Sequence, residues 1–256
     1  MGKKFSRIRL KSILVSGLVM TAWLGFSQAS YEKPYNKINR KPGLMRHYTL
    51  RTPTETSAEK FDRLNTDFFY NSWLGSTNDV LTKFYSIGHG INLMFDIPFS
   101  KTSRIGIGIG LGYTHYNVRH NGDFFFLSTG GANTKEYSTL LPYQGPDRWI
   151  NRTVMNQVDI PFEIRIRSRK ERPKLKFYPG FKVGYIFDTF EKWRINEMEF
   201  KTFNFPDIDP LQYGATLRIG INNVFLFGSY NLSYIFDNEN SNKLNLFSAG
   251  ISIGWF

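Results

Sequence analysis

The sequence predicts an all-β fold: an eight-stranded antiparallel transmembrane β-barrel following a signal peptide and a flexible N-terminal segment. Three observations predict it. Hydrophobicity alternates with a period of two through most of residues 65–256, connections alternate between short and long, and no run of eighteen apolar residues offers a helical crossing. Lipid offers no hydrogen-bond partner to a sheet edge, so strands that cross a bilayer must close into a barrel.

Lys3, Lys4, Arg7, Arg9 and Lys11 precede the apolar run Ile13 to Phe26, and Ser27-Gln28-Ala29 supplies the small residues of a cleavage site. That run is shorter than the roughly 20 residues a spanning helix needs, so residues 1–29 are expected to be a cleaved export signal. With no cysteine, the chain has no lipoprotein anchor, disulfide framework or thiolate metal site. Residues 30–64 hold Pro34, Pro42 and Pro53 among many charges and no apolar period, which reads as a flexible periplasmic leader. A short plug in the barrel mouth is the alternative.

The strands follow in order. Thr66 to Leu74 is supported by its aromatics Phe68, Phe69, Tyr70 and Trp73. In the second strand Ile87, Ile91, Leu93, Phe95, Ile97 and Phe99 share one face, and Gly88, Gly90, Asn92 and Asp96 the other. From Ser103 to Arg119, Ile105, Ile107, Ile109, Leu111 and Tyr113 alternate strictly with Gly106, Gly108, Gly110, Gly112 and Thr114. A helix would scatter those glycines around its circumference and lose stability at each. Residues 153–168 set Val154, Val158, Ile160, Phe162, Ile164 and Ile166 against Gln157, Asp159, Glu163, Arg165 and Arg167. Residues 174–189 and 210–221 repeat the pattern, and Asn222-Asn223 then makes a two-residue hairpin that sets Ile221 opposite Val224. That register sends Leu226, Tyr230, Leu232, Tyr234 and Phe236 outward, with Ser229, Asn231 and Ser233 inward. The last strand, Leu244 to Phe256, turns Phe247, Ala249, Ile251, Ile253 and Trp255 outward.

The short connections are residues 100–102, 169–173 and 222–223, and the long ones 75–84, 120–152, 190–209 and 237–243. Outer-membrane barrels have short periplasmic turns and long outer loops, and an even strand count leaves both termini in the periplasm. A soluble barrel or sandwich would instead put its apolar face inside.

Charge narrows the function. Of the formal +12, the signal patch carries five and residues 31–64 a further four net, leaving +3 on residues 65–256. A nearly balanced main domain removes the support for nucleic-acid binding.

The candidate lumen network is Asp159, Glu163, Arg165, Arg167, Lys176, Lys182 and Arg218, with the glycine row at 106–112 making room for it. An eight-stranded barrel is just wide enough to be filled by side chains. A structural polar core is therefore the expectation, and a narrow solute or ion path the alternative. His89 and His115 are expected as outward neighbours on adjacent strands; they read as interfacial side chains in the aromatic belt, with a metal or lipid-hydrolase pair as the alternative. His47 and His120 lack ligand spacing. Asp159 and Glu163 stand too far apart along one strand for paired acid–base work. The expectation is no enzyme, no catalytic residue, no cofactor and no metal. Phe124, Phe125, Phe126, Tyr137 and Trp149 mark the 120–152 loop as the candidate partner surface, with packing among themselves as the other reading.

Residues 65–256 resemble the small outer-membrane β-barrel proteins of Bacteroidota that include the PorT-like proteins of type IX secretion. The likeness rests on Gly90-Ile91-Asn92-Leu93-Met94-Phe95-Asp96-Ile97-Pro98-Phe99, the glycine-rich strand after it, and Val158-Asp159-Ile160-Pro161-Phe162-Glu163. It implies an outer-membrane scaffold that serves secretion or envelope assembly. Outer-membrane lipid, the barrel-assembly machinery and secretion or envelope proteins are then its expected partners.

Overall fold

The computed structural model describes residues 63–99, 103–128, 136–146, 148–168, 175–203 and 205–255. The signal segment and nearly all of the leader, including His47, lie outside these residues. Eleven strands are present: β1 (Leu64–Gly75), β2 (Ile87–Pro98), β3 (Ile105–Arg119), β4 (Gly122–Ser128), β5 (Glu136–Pro142), β6 (Arg148–Arg167), β7 (Leu175–Ile195), β8 (Met198–Thr202), β9 (Leu211–Ile221), β10 (Val224–Asn231) and β11 (Leu244–Gly254). Eight of them close a ring in the order β6-β3-β2-β1-β11-β10-β9-β7, because β6 also pairs with β7. Every pairing in the ring is antiparallel.

Within the barrel wall the inside and outside match the period-two reading. Along β2 and β9 every second residue is buried, and the residues between them are exposed. The exposed set is apolar, reaching 70% at Leu226, while Asp67, Asp96, Glu163, Arg165 and Arg218 are buried. This inverts a soluble protein, and lipid is the solvent that makes it stable. The hairpin at residues 222–223 forms with Asn222 at φ 56° and Ile221 opposite Val224, as the tolerance of asparagine for positive φ predicts.

The long connections depart from the sequence reading. The 120–152 segment is not only loop: β4 and β5 form a separate two-stranded sheet within it. The wall strands β6 and β7 continue beyond their predicted ends to Arg148 and Ile195, and β8 pairs back onto β7. β10 ends early, at Asn231. The amides of Leu232 and Ser233 both donate to the Tyr213 carbonyl, which breaks the ladder. Phe236, expected outward, is buried and bridges to Ile208 over the mouth of the barrel. Leu232 and Tyr234 still face outward and Ser233 inward, and parity fails at Phe236, where the chain folds over the mouth.

Candidate functional site: a charged lumen below a capped mouth

Towards the short-turn end the lumen is filled by a charge network. Glu163 on β6 sits between two guanidiniums: Arg165 Nε donates to its Oε2 at 3.0 Å, and Arg218 Nη1 from β9 donates to its Oε1. Arg218 Nη2 also donates to Asp67 on β1 at 2.7 Å, and Asn92 from β2 donates to the same oxygen at 2.8 Å. Asp96 takes Arg167 at 2.7 Å and Arg165 at 3.4 Å. Tyr178 accepts from Arg167 Nε at 3.0 Å and lies under both Arg165 and Arg167. A little higher, Lys182 donates to the Tyr116 hydroxyl, while Asp159 accepts from Thr114 and Gln157. Lys176 lies over the Phe225 ring.

The glycine row is what admits these groups. A Cβ on Gly108 would come within 2.5 Å of Arg165 Nε, and one on Gly112 within 2.3 Å of Asn92 Oδ1. The space left among Asp67, Thr114, Asp159, Lys182 and Arg218 is a cavity of about 20 Å³, room for about one water molecule. The structure joins Glu163, Arg165, Arg167 and Arg218 in one ion-pair network, sets Asp159 and Lys182 around the cavity beside it, and buries Lys176 against Phe225. Asp67 and Asp96 were missed as members, although Asp96 had been placed on the inward face.

Towards the long-connection end the filling turns apolar. Trp73, Tyr116, Val118, Phe124, Leu140, Met155, Phe236 and Leu244 belong to one buried cluster. Phe124 is its hub, with ring centroids 5.6 Å from Trp73, 5.3 Å from Phe205 and 5.8 Å from Phe236. The β4–β5 hairpin that brings Phe124 and Leu140 here is tied down along its edge. Asp207 accepts from the Ser138 amide at 2.9 Å and from the hydroxyls of Ser138 and Ser241. Asn242 Oδ1 accepts from the Leu140 amide at 2.7 Å, and Asn151 reaches the Gly122 carbonyl. Sequence reasoning missed Asp207 and Asn242, which stand in polar connections with no periodic signal.

His120 is buried under the hairpin. The Gly122 amide donates to its Nδ1 at 3.2 Å, so Nε2 carries the proton and donates to Thr153 Oγ1 at 3.0 Å. Burial pushes its pKa down to about 3, with Arg148 and Lys83 adding to the depression against the Gly122 contact. Nearby Glu191 is pushed up to about 8 by burial and by Asp123, against the pull of Arg148.

Of the predicted partner surface, Phe124 is withdrawn into the core at 7% exposure and Phe126 packs on Phe205. Tyr137 is half-buried; Phe125 and Trp149 face out at 45% and 81%. Self-packing therefore claims the hub of that loop. On the outer wall His89 and His115 are directly opposed and stacked, with centroids 4.9 Å apart. A register shift between Asn156 and Gln157 turns Asp188 outward beside Asn156, completing a chain from His115 Nδ1 to Asn156 at 2.7 Å and from Asn156 to Asp188 at 2.7 Å. Among the described residues no group of three or more His, Cys, Asp and Glu is placed to hold a metal ion.

Comparison with known proteins gives the following. The family described as outer membrane protein beta-barrel domain matches residues 64–237. No curated protein sequence matches. Among solved structures, the attachment invasion locus protein Ail of Yersinia pestis aligns at a TM-score of 0.36 and 10% identity, covering 75% of this chain and 95% of that one. Ail in complex with the heparin analogue sucrose octasulfate aligns at 0.31 and 11%, with the same coverage.

Proposed function

We infer a function from the premise that this chain belongs to the outer membrane protein beta-barrel domain family. It is an outer-membrane β-barrel, and its role is that of a closed, non-enzymatic scaffold. The single observation that carries this reading is the double closure of the lumen, by the Glu163–Arg218–Asp67 network and by the Phe124 plug. Side chains that fill the lumen from wall to wall leave neither a water file nor a binding cleft. In this reading residues 1–29 are removed on export, both termini lie in the periplasm and the long connections face outward. Envelope or secretion proteins are then met through exposed residues such as Phe125 and Trp149, and a PorT-like role in type IX secretion is the specific form of that service.

The purified protein inserted in planar bilayers is expected to give no stable open-channel current. A steady current would replace the scaffold by a narrow solute or ion path. A pull-down from detergent-solubilised outer membranes tests the secretion role, and recovery of the barrel alone would sink it. A second reading, an outer-membrane lipid-modifying enzyme, draws on the outward His115–Asn156–Asp188 chain. Phospholipid or lipid A turnover that disappears in His115→Ala would establish it in place of the scaffold.

A further inference from the structure

Like charges directly opposed on a β-ladder repel, and a sheet that lines them up holds them against a cost. The outer face of this barrel, at the long-connection end, carries such a row. Arg119 on β3 is paired with Arg152 on β6, Arg152 with Lys192 on β7, and Lys192 with Lys201 on β8. Directly opposed residues project from the same face, so four cations stand side by side across four strands. That face is the outer one. Arg119 follows outward-facing Tyr113 and His115 at even spacing, and Arg152 precedes outward-facing Val158 at even spacing. Lys83 joins the end of the row: its amide donates to the Arg119 carbonyl at 2.7 Å, and both side chains lie over the Tyr85 ring.

Counter-charge is short. Glu199 pairs with Lys192 at 2.7 Å and with Arg194 at 3.2 Å. Neither Arg119 nor Arg152 forms an ion pair among the described residues, and the Nε of each is buried without a hydrogen-bond partner. Glu199 reaches Arg152 only from beyond ion-pair distance, while burial and Arg119 lower the Arg152 pKa.

Position selects the ligand. The apolar wall below the row runs up to Ile87 and Phe187, beside His89 and His115. Arg119 lies four residues beyond His115 on an unbroken strand. At about 3.3 Å per residue and a tilt of about 40°, it stands about 10 Å above that edge, the depth of a lipid headgroup. Guanidiniums bind phosphate as a fork, which ammonium groups cannot do.

We propose that the Arg119–Arg152 pair, flanked by Lys83, Lys192 and Lys201, binds the phosphate groups of the glycolipid in the outer leaflet that surrounds the barrel. The row is continuous with the lipid-facing wall, which favours a membrane lipid over a soluble polyanion. The inference rests on the outer-membrane location and the outward placement of the long connections, and is independent of the scaffold role.

The test uses the full-length mature protein in phosphatidylcholine nanodiscs doped with bisphosphorylated lipid A or with its dephosphorylated form. Lipid retained after detergent exchange is read by native mass spectrometry, beside the melting temperature. The wild-type protein is expected to retain the phosphorylated form several-fold better, and the Arg119→Gln/Arg152→Gln variant to lose that preference. In pure phosphatidylcholine the variant should melt no lower than wild type, since it removes a repulsion. Arg152→Lys keeps charge without the fork and should fall between the two; it also serves if the double variant does not fold. Equal retention of both lipid forms by wild type, or a preference unchanged in either variant, overturns the proposal. So does a melting shift from soluble heparin that matches the shift from lipid A, because the row would then serve a soluble polyanion.

Discussion

The short-turn half of the lumen is closed by Arg165, Arg167 and Arg218 interleaved with Asp67, Asp96 and Glu163, whereas the long-connection half is closed by Trp73, Phe124, Leu140 and Phe236. The wall around both halves is the same kind of antiparallel ladder. The two fillings differ in what each residue requires of its neighbours. A buried charge needs one named partner at a fixed place, and losing that partner leaves a desolvated ion. An aromatic in the plug needs volume and contact, and its loss leaves a cavity that neighbours can partly close. The charged half is carried wholly on wall strands, so it cannot loosen without the barrel. The apolar half depends on the β4–β5 hairpin, which hangs from the wall by its ends and by polar ties such as Asp207 and Asn242.

The comparison breaks first at Glu163. In Glu163→Ala, Arg165 loses its 3.0 Å carboxylate partner and keeps Asp96 at 3.4 Å, while Arg218 loses Glu163 and keeps Asp67. Removing one partner from a buried network costs about 3–5 kcal/mol. The barrel should unfold in urea at a clearly lower midpoint and lose heat-modifiable migration in part of the population. Glu163→Gln keeps an acceptor and should cost less. Equal, small losses for both would show that water reaches this layer and that the half is not sealed.

Phe124→Ala tests the other half with a smaller expected effect. The substitution removes the hub of four ring contacts, a loss of about 3 kcal/mol to the closed cap. Because the hairpin can open by itself, barrel unfolding should move by less than that. Faster hydrogen exchange confined to Gly122–Ser128 and Glu136–Pro142, with heat-modifiable migration intact, is the expected signature. If the whole barrel loses stability as it does in Glu163→Ala, the plug is as integral as the charge network and the contrast fails.

The same division decides what the sequence disclosed. Where a strand lines the charged half, its two faces differ in kind, so Gly106 to Gly112 and Asp159 to Arg167 announced both strand and register. Where β1 lines the plug, aromatics stand on both of its faces. In β1, Phe69 and Trp73 point in while Phe68 points out, and alternation disappears from a sequence rich in aromatics on both sides. That is why aromatics and not alternation marked this strand in the sequence, and why Asp67, next to Phe68, went unassigned. The hairpin and its ties were illegible for a different reason. Asp207 and Asn242 act on β5 from remote connections, and no local pattern encodes a contact between segments as distant as residues 138 and 241. The opposed histidines were legible because a short turn fixes the register between β2 and β3.

The smallest effect is a pH dependence confined to the cap, and its two sources have opposite signs. His120 is neutral in the closed cap, with its pKa depressed from 6.5 to about 3. As pH falls from 6.5 towards 3, the opened form takes up a proton that the closed form refuses, so closure weakens on the acid side. Above pH 6.5 both forms are neutral at this site and His120 adds no slope. Glu191 holds its proton in the closed form up to about pH 8, against an ordinary 4.5. As pH rises from 4.5 to 8 the opened form releases that proton while the closed form keeps it, so closure weakens on the alkaline side. The wild-type cap should therefore close best at intermediate pH. His120→Asn should flatten only the acid limb of urea midpoints for cap opening, read from a probe at residue 125, and Glu191→Gln only the alkaline limb. Both substitutions keep a polar group of similar size, so the shape of each curve carries the result rather than its height. Limbs that survive both substitutions would place the titrating groups in the charged half, and would join the two halves that the wall otherwise keeps apart.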